Sequence, residues 1–307
     1  MAKIHILHEN DAWTAPLFEA LEARGLPFEA WHLAEGRVDA KVPPPTGVFY
    51  NRMSASSHTR DHRYAPELTR HVLRWLEAHG RRVINDSRAT ALEIDKLAQY
   101  AGLEAAGVTT PHTIGAVGRD QVVEAARALG DWPLILKPNR GGAGAGVQLV
   151  ESEAQLTAIL DDPATAWPLD GTWLVQQYVR AEEPCITRCE FIGGEFLYAV
   201  RVDTSDGFEL CPADACALPS GREKFEILDG FSDPILKRYR SFLAANGIEV
   251  AGIEFVRASD GTAVTYDVNT NTNYNSQAEA RAGISGMNRL ADLLGRELKD
   301  VQRDSAA

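Results

Sequence analysis

Apolar runs alternate with amphipathic stretches over the first third of the chain. The run Lys3–Leu7 predicts a buried strand, and apolar residues at helical spacing follow over Ala15–Arg24 and again over Ala65–Gly80. The other predicted strands of this part are Phe28–Leu33, Gly47–Tyr50 and Arg82–Ile84. Because strands that alternate with helices form parallel sheets, this part predicts an α/β unit with a mainly parallel sheet.

Strand and helix patterns are mixed less regularly in the rest of the chain. A helix that begins near Lys96 ends before Gly107, because a glycine there stops the apolar spacing. The further predicted strands are Pro133–Lys137, Val147–Val150, Thr172–Gln177, Ile186–Ile192 and Phe196–Val202, and the further helices are Asp120–Leu129, Ser152–Leu160, Pro234–Ala245 and Ser285–Leu294. No fixed period repeats along the chain, which excludes a solenoid.

Two strand-like runs near the C-terminus, Val250–Arg257 and Thr262–Asn269, flank Asp260-Gly261. This dipeptide is the one most typical of a two-residue hairpin loop. The pattern therefore predicts an antiparallel hairpin in which Ser259 lies opposite Thr262.

The register of this hairpin places Glu254 directly opposite Asp267, and Asn269 lies on the same face because strand side chains alternate. Two facing carboxylates repel each other. A hard cation would remove the repulsion, since such ions bind oxygen ligands. We therefore interpret these three side chains as a magnesium site for a phosphate-bearing substrate; exposed carboxylates on a solvent-facing hairpin are the alternative.

A glycine-rich run follows the predicted strand that ends at Lys137. The lysine supplies a point charge for phosphate oxygens, and the glycines let backbone N–H groups wrap an anion. The run is not a Walker A loop, because the lysine precedes the glycines. A flexible hairpin tip is the alternative, and Lys137 makes it the less favoured one. The candidate glycines are Gly141, Gly142, Gly144 and Gly146.

The strand Thr172–Gln177 ends in the amide-rich segment Gln176-Gln177-Tyr178-Val179. A linker of this kind can offer backbone donors and acceptors to a purine edge while apolar neighbours cover the purine faces. An ordinary buried strand is the alternative.

Bulk properties exclude several classes of protein. The net charge of −12 argues against a phosphate-tracking nucleic-acid binder. No apolar run approaches the length of a membrane span, and the first residues are too short for a signal peptide, so we expect a cytoplasmic protein. The first strand ends in His8-Glu9-Asn10-Asp11 rather than in glycines, so a dinucleotide site there is unsupported.

Zinc motifs are also missing from the sequence. The four cysteines, Cys185, Cys189, Cys211 and Cys216, lack zinc-ribbon spacing. His58 and His62 lack the glutamate of a zincin motif, so a polar loop or helix start is favoured there.

In order and spacing, these motifs together resemble the ATP-grasp superfamily. The residues that carry the resemblance are Asp95-Lys96, Leu134–Pro138 with its glycines, Gln176–Val179, and Glu254 with Asp267-Val268-Asn269. The chain is most similar to the glutamate-ligase branch, which includes ribosomal-protein glutamate ligases and lysine-biosynthesis ligases, over roughly Ile84 to Leu294.

The resemblance implies a mixed α/β (α+β) ATP-grasp fold. We expect an N-terminal α/β pre-ATP-grasp domain over 1–94, a central subdomain over 95–183, a C-terminal subdomain over 184–300 and a tail over 301–307. The ATP cleft should lie between the central and C-terminal subdomains.

The resemblance also assigns residue roles. Lys96 and Lys137 would hold the ATP phosphates, and Glu182 or Glu183 would reach toward the ribose. Arg188 and Arg201 would be catalytic, near the transferred phosphate and the acyl substrate. The adenine contacts would be Gln176, Gln177, Tyr178 and Val179, and the metal ligands Glu254, Asp267 and Asn269.

The chain departs from the family where substrate is usually bound. Glu254 and Asp267 exchange the usual order of Asp and Glu. Thr270-Asn271-Thr272-Asn273-Tyr274 replaces a Ser-Pro-Gly run, and Glu209-Leu210-Cys211 replaces a polar Arg-Ser-Asn stretch. The resemblance therefore does not name the substrate.

The expected activity is that of an ATP-dependent carboxylate–amine ligase that uses Mg²⁺ or Mn²⁺ and forms an amide through an acyl phosphate, with ADP and phosphate as products. The substrates would be a carboxylate and an amine, and whether they are amino acids, peptides or a protein tail stays open. We expect no nucleic acid or membrane as a partner. A homo-oligomer is compatible with the family. Arg52, Arg60 and Arg63 are candidates for a substrate carboxylate clamp, with solvated loop charge as the alternative, and Asn271 is a further candidate contact.

Two other functions stay open at this point. One is an ATP-grasp kinase that stops at phosphoryl transfer, and the other is a non-catalytic ATP-binding regulatory protein. The intact set of metal ligands and lysines favours an enzyme.

Overall fold

The structure, a computed structural model, describes residues 2–142, 144–205 and 223–304. Its N-terminal part is the predicted α/β unit. The strands are β1 (Lys3–His8), β2 (Phe28–His32), β3 (Gly47–Asn51) and β4 (Arg82–Ile84), and the helices are α1 (Asp11–Glu22) and α2 (Ala65–Ala78). All strand pairs are parallel in the order β2-β1-β3-β4, which confirms the expectation. A 3₁₀ helix, Ser57–Arg60, lies in the loop after β3.

The central sheet is antiparallel and has its own core. Its elements are β5 (Thr113–Val117), β6 (Leu134–Pro138), β7 (Gln148–Val150) and β8 (Thr172–Gln177), in the order β5-β8-β6-β7, with helices α5 (Arg119–Leu129) and α6 (Glu153–Asp161). The helices bury Val122 and Leu156 against Leu134, Leu136 and Trp173 of the sheet. The glycine-rich run connects β6 to β7.

A larger antiparallel sheet forms the C-terminal part. The described strands are β9 (Cys185–Ile192), β10 (Glu195–Asp203), β11 (Phe225–Leu228), β12 (Val250–Arg257) and β13 (Ala263–Asn269), in the order β11-β10-β9-β12-β13. The helices are α3 (Ser87–Glu93), α4 (Lys96–Ala105), α7 (Ile235–Ala245), α8 (Ser276–Ala282) and α9 (Gly286–Asp304). Helix α4 buries Tyr100 and Leu103 against this sheet, so the segment after residue 95 packs mainly with the C-terminal part.

The β12–β13 hairpin has the predicted pairing at the carboxylates but not at the turn. Glu254 pairs with Asp267, whereas Phe255 pairs with Thr265. The ladder shifts by one residue at Tyr266, which is a β-bulge. Ala258 N–H donates to Thr262 O, so the turn holds three residues and not two. Ser259 therefore does not face Thr262, and the bulge restores the register before the carboxylates are reached.

Helix α9 is longer than the predicted Ser285–Leu294. Gly295 follows the predicted end, but the helix continues to Asp304. A Cβ at residue 295 would come within 3.1 Å of Leu26 Cδ1, so the glycine permits close packing and does not end the helix. Leu298 and Val301 continue the apolar stripe against β1, β3 and α1. Residues 301–304 of the predicted tail thus belong to α9.

The structure adds one observation on the cysteines and one on the helices. Cys185 and Cys189 are free thiols, whereas Cys211, Cys216 and the Glu209-Leu210-Cys211 departure lie outside the described residues. None of the described helices combines the length and apolar character needed to span a membrane. The cytoplasmic location stays a prediction.

Candidate active site

A cavity of about 560 Å³ lies where the three parts of the chain meet. The sequence-predicted residues that line it are Lys96, Lys137, Gly141, Gly142, Gly144, Gln176, Gln177, Tyr178, Val179, Glu182, Arg188, Glu254, Asp267, Asn269 and Asn271. Six predicted residues do not line it: Gly146, Glu183, Arg201, Arg52, Arg60 and Arg63. The structure therefore brings together most of a site whose residues are far apart in the sequence.

Two lysines reach the cavity from different elements. Lys137 lies one residue before the end of β6, is buried, and donates from Nζ to Tyr100 Oη at 2.7 Å. Lys96 begins α4 and forms an ion pair with Asp267. Asn139 holds the two elements together, because its Oδ1 accepts from Leu97 N–H at 2.9 Å and its Nδ2 donates to Asp95 Oδ1 at 3.1 Å. The lysines are thus fixed on the same side of the cavity.

The glycine-rich run closes back on the strand before it. Gly146 has φ +76°, and a Cβ there would come within 3.2 Å of Pro138 Cδ. Arg140 anchors the run to α2 through an ion pair of 2.7 Å with Glu67. Gly146 therefore shapes the turn without lining the cavity itself.

Gly146→Ala should raise the KM for ATP while the fold persists, because the alanine disfavours the left-handed backbone and crowds Pro138. Gly171→Ala is the matched control, since Gly171 has φ +75° and no neighbour that a Cβ would contact. Each variant should lose about 1 kcal/mol of stability from the backbone conformation. Steady-state kinetics and thermal unfolding of both variants check this, and an equal rise in KM in both would contradict a role for the run in nucleotide binding.

The segment after β8 is held at both ends. Gln176 Nε2 donates to Thr113 Oγ1 at 2.7 Å, and Gln177 N–H donates to His112 O at 2.8 Å. Glu182 N–H donates to Arg257 O at 2.9 Å. Between these anchors, Tyr178 and Val179 line the cavity.

A single row of side chains crosses four strands of the C-terminal sheet. Val200 of β10 pairs with Arg188 of β9, Arg188 pairs with Glu254 of β12, and Glu254 pairs with Asp267 of β13. Because paired residues share a face, all four side chains point to the cavity. Asn269 joins them, with its Nδ2 3.3 Å from Asp267 Oδ2 and 3.4 Å from Glu254 Oε1.

The repulsion expected between the two carboxylates is offset by cations. Arg188 Nη1 donates to Glu254 Oε1 at 2.9 Å, and Lys96 pairs with Asp267. Burial raises the pKa of Glu254, and the nearby Asp267 adds to the rise. Burial also acts to raise the pKa of Asp267, but Lys96, Lys137 and Arg188 together hold this pKa below its usual value.

Arg188 is the most extensively bonded side chain of the row. Its Nε donates to Glu190 Oε1 at 2.6 Å, and its Nη2 donates to Thr272 Oγ1. A Cβ at Gly252 would lie 2.5 Å from Arg188 Nε, so the glycine leaves room for the guanidinium. Glu190 is buried, which raises its pKa, and it lines the cavity. The guanidinium thus bridges two buried carboxylates.

Arg201 lies on the opposite face of β10, which corrects its predicted place at the reaction centre. Val200 and Val202 line the cavity, so the residue between them points away. Arg201 Nη2 instead donates to Glu183 Oε2 at 2.7 Å, with 43% of its side chain exposed. The same contact holds the Glu183 side chain away from the cavity. Of the two predicted ribose contacts, Glu182 and Glu183, it is Glu182 that lines the cavity.

The three predicted clamp arginines do not converge on one open site. Arg52 is buried and donates to Asn273 Oδ1 at 2.8 Å. Arg60 pairs with the buried Glu9 at 2.5 Å, and Arg63 lies 5.8 Å from the centre of the Tyr64 ring. Arg52 does not line the cavity itself but contacts two residues that do, because it also donates to Trp13 O at 3.2 Å.

Several lining residues were missed by sequence reasoning: Trp13, Ser54, Ser56, Glu93, Glu190, Tyr198, Tyr266, Asn273 and Asn275. Glu190 could have been found, because it lies two residues from Arg188 on the same strand. Tyr266 Oη donates to Glu254 Oε2 at 3.0 Å, which only the bulge makes possible. Glu93 accepts from Thr270 N–H at 2.7 Å, a contact between distant segments that leaves no local sequence signal.

Comparison with known proteins identifies the family of the chain. Residues 93–294 match the RimK-like ATP-grasp domain family. The chain is 25% identical over 237 residues to ribosomal protein bS6–L-glutamate ligase from Shigella flexneri, covering 76% of this chain and 71% of that protein. It is 27% identical over 198 residues to a probable alpha-L-glutamate ligase from Xanthomonas campestris, covering 63% of each.

Solved structures share the fold at lower identity. A RimK domain ATP-grasp protein from Sphaerobacter thermophilus has a TM-score of 0.68 and 18% identity, with 95% of this chain and 98% of that chain covered. The ATP-grasp ligase PsnB, in complex with a minimal precursor, Mg and ADP, has a TM-score of 0.66 and 18% identity, with 96% and 97% covered. The chain belongs to the RimK-like ATP-grasp family and is an ATP-dependent ligase that forms carbon–nitrogen bonds.

Proposed function

We propose that this ligase joins a carboxylate to an amine through an acyl phosphate, and that one of the two substrates is a peptide or a protein. The relatives support the second point, since one is named for its action on ribosomal protein bS6 and the PsnB structure contains a precursor. The observation that carries the chemistry is the convergence of Lys96, Lys137 and Arg188 with two carboxylates on one cavity.

The nucleotide would lie between the central and C-terminal sheets. Lys96, Lys137 and the glycine-rich run would bind its phosphates, which fits cationic and backbone donors that face the same space. Residues 176–179 would contact the adenine, and Glu182 would reach the ribose in preference to Glu183, which is paired with Arg201.

Glu254, Asp267 and Asn269 fit a magnesium ion. All three can offer oxygen atoms on one sheet face, because the Asn269 amide can be turned to present Oδ1. The same ligands would accept manganese. When bound, the metal would neutralise charge on the phosphate oxygens.

The proposed reaction has two chemical steps. In the first, a carboxylate oxygen of the substrate attacks the γ-phosphorus, the bond to the β-phosphate oxygen breaks, and ADP leaves. In the second, the amine nitrogen attacks the acyl carbon, the carbon–oxygen bond to phosphate breaks, and the amine passes a proton to the departing phosphate. Arg188 lies beside the metal ligands, where it can stabilise negative charge on the transferred group in both steps.

An oxygen-18 transfer experiment tests this mechanism. The protein would be incubated with ATP, Mg²⁺, glutamate and a panel of peptides whose carboxylates carry oxygen-18. We expect amide formation, ADP, and one labelled oxygen in the released phosphate, because the acyl–oxygen bond breaks in the second step. Label in AMP would indicate an adenylate and contradict the proposal.

The same assay separates the alternatives. A kinase would give ADP and a stable phosphorylated product without an amide, and a non-catalytic binder would give no ADP with any member of the panel. The Lys137→Met variant is the control, because loss of this buried phosphate-facing charge should suppress ADP release.

A further inference from the structure

A cluster of nitrogen and oxygen ligands lies in the N-terminal domain, outside the ATP cavity. His8 ends β1, Asp11 begins α1, and His32 ends β2. One ligand atom from each residue lies within 4.8 Å of the others. His8 and His32 are paired residues of neighbouring parallel strands, and Leu33 N–H donates to His8 O at 2.7 Å, so the two strand ends are held together.

His8 has an unmet bonding requirement. Its side chain is 2% exposed, and neither ring nitrogen has a hydrogen-bond partner within residues 2–142, 144–205 and 223–304. Burial lowers the pKa of His8 to about 4, although the nearby backbone of Asn10 acts to raise it. A buried polar group without a partner is costly, and the closest ionisable oxygen to the ring is Asp11 Oδ1, 3.8 Å from Nδ1. The unpartnered ring is therefore directed into the cluster.

The backbone around the cluster is already ordered. Asn10 Oδ1 accepts from Trp13 N–H at 3.1 Å and caps α1, which places Asp11 in the first turn of the helix. Asp11 and His32 are exposed, so their side chains can rotate inward by the small amount that a shared ion would need. The cluster also lies at the carboxyl edge of a parallel sheet, where such folds usually bind ligands.

We propose that His8, Asp11 and His32 bind a divalent transition-metal ion of the zinc type. Two imidazoles and one carboxylate are a set that zinc accepts, with nitrogen distances of about 2.0–2.1 Å, and three protein ligands leave one position open. Imidazole ligands select zinc over magnesium. The ion would give one ring nitrogen of His8 a partner and would connect β1, α1 and β2 beside Trp13, which lines the ATP cavity.

The test uses the whole 307-residue chain, stripped with a chelator and equilibrated with Zn²⁺ in an excess of Mg²⁺ that occupies oxygen-only sites. Equilibrium dialysis with metal analysis should give one bound zinc per chain, and Co²⁺ should give the visible absorption of a low-symmetry nitrogen and oxygen site. Thermal unfolding should shift upward with zinc, because an ion that binds only the folded state stabilises it.

His32→Ala and Asp11→Asn should each weaken zinc binding by more than about tenfold and abolish the thermal shift, since even outer-shell changes at metal sites have effects of this size. Both residues are exposed, so these variants should fold. His71→Ala, which removes an exposed histidine of α2, and Asp267→Asn, which alters the ATP cavity, should leave zinc binding unchanged.

Three outcomes would overturn the proposal. They are the lack of stoichiometric zinc at micromolar concentrations, unchanged binding in both His32→Ala and Asp11→Asn, and loss of binding in Asp267→Asn alone, which would place the ion in the ATP cavity.

Discussion

Asp267→Asn should lower the turnover number by at least about a hundredfold, because it removes the charge of a proposed metal ligand that is also the partner of Lys96. Glu254→Gln should have a similar effect on turnover. In both variants the concentration of Mg²⁺ required for half-maximal activity should rise. Asp260→Asn is the control, since Asp260 lies at the exposed tip of the same hairpin and asparagine can still accept from Thr262 N–H.

Stability should separate the two metal-site variants. Without magnesium, Asp267→Asn leaves the partly buried ammonium of Lys96 unpaired, whereas Glu254→Gln leaves Arg188 still paired with Glu190. We therefore expect a lower Tm for Asp267→Asn than for Glu254→Gln, and partial recovery when Lys96→Met is added to Asp267→Asn. Wild-type turnover in Asp267→Asn would refute the metal assignment, and the absence of recovery would refute the role of the ion pair.

Arg188→Met should lower the turnover number by about a hundredfold or more, roughly the loss for one removed charge-stabilising donor. Arg201→Met, the matched control on the opposite face of the same sheet, should stay within about twofold of wild type, because exposed ion pairs contribute little. ATP titration and initial-rate measurements on both variants check this. Equal losses in the two variants would show that the cavity-facing row is not the reaction centre.

One control is needed for Arg188, because its removal leaves Glu190 and Glu254 without their cation. Arg188→Lys keeps the charge but cannot bridge both carboxylates as a guanidinium does. We expect it to recover the thermal stability lost in Arg188→Met more fully than it recovers turnover. If stability and turnover recover in proportion, Arg188 is a structural ion-pair residue.

The features of the molecule that could be predicted are those that have a local signal in the sequence. The parallel sheet, the run after Lys137 and the facing of Glu254 and Asp267 were all predicted from strand periodicity, glycines and turn residues, and the structure has them. The predicted pairing of Glu254 with Asp267 is correct, however, because two errors in the prediction cancel each other. The turn is one residue longer than Asp260-Gly261 suggests, and the bulge at Tyr266 takes up the difference.

The failures have physical reasons of their own. Arg201 was placed by similarity of position, and an offset of one residue on a strand moves a side chain to the other face. Gly295 resembles a helix end, but the close approach of Leu26 explains it. Glu93 and Trp13 enter the site through packing between distant segments, and such contacts depend on the tertiary fold and not on local spacing.

The bulge at Tyr266 affects which changes of length the β12–β13 hairpin can accommodate. Tyr100 Oη donates to Tyr266 O at 2.8 Å, so the bulge is pinned from outside the hairpin, next to Asp267. The ladder between the bulge and the tip runs in a different register from the ladder at the carboxylates. A change in the length of the hairpin tip should therefore leave the pairing of Glu254 with Asp267 unchanged. Among insertions of foreign sequence, we expect the protein to tolerate best one that lies between Ser259 and Gly261.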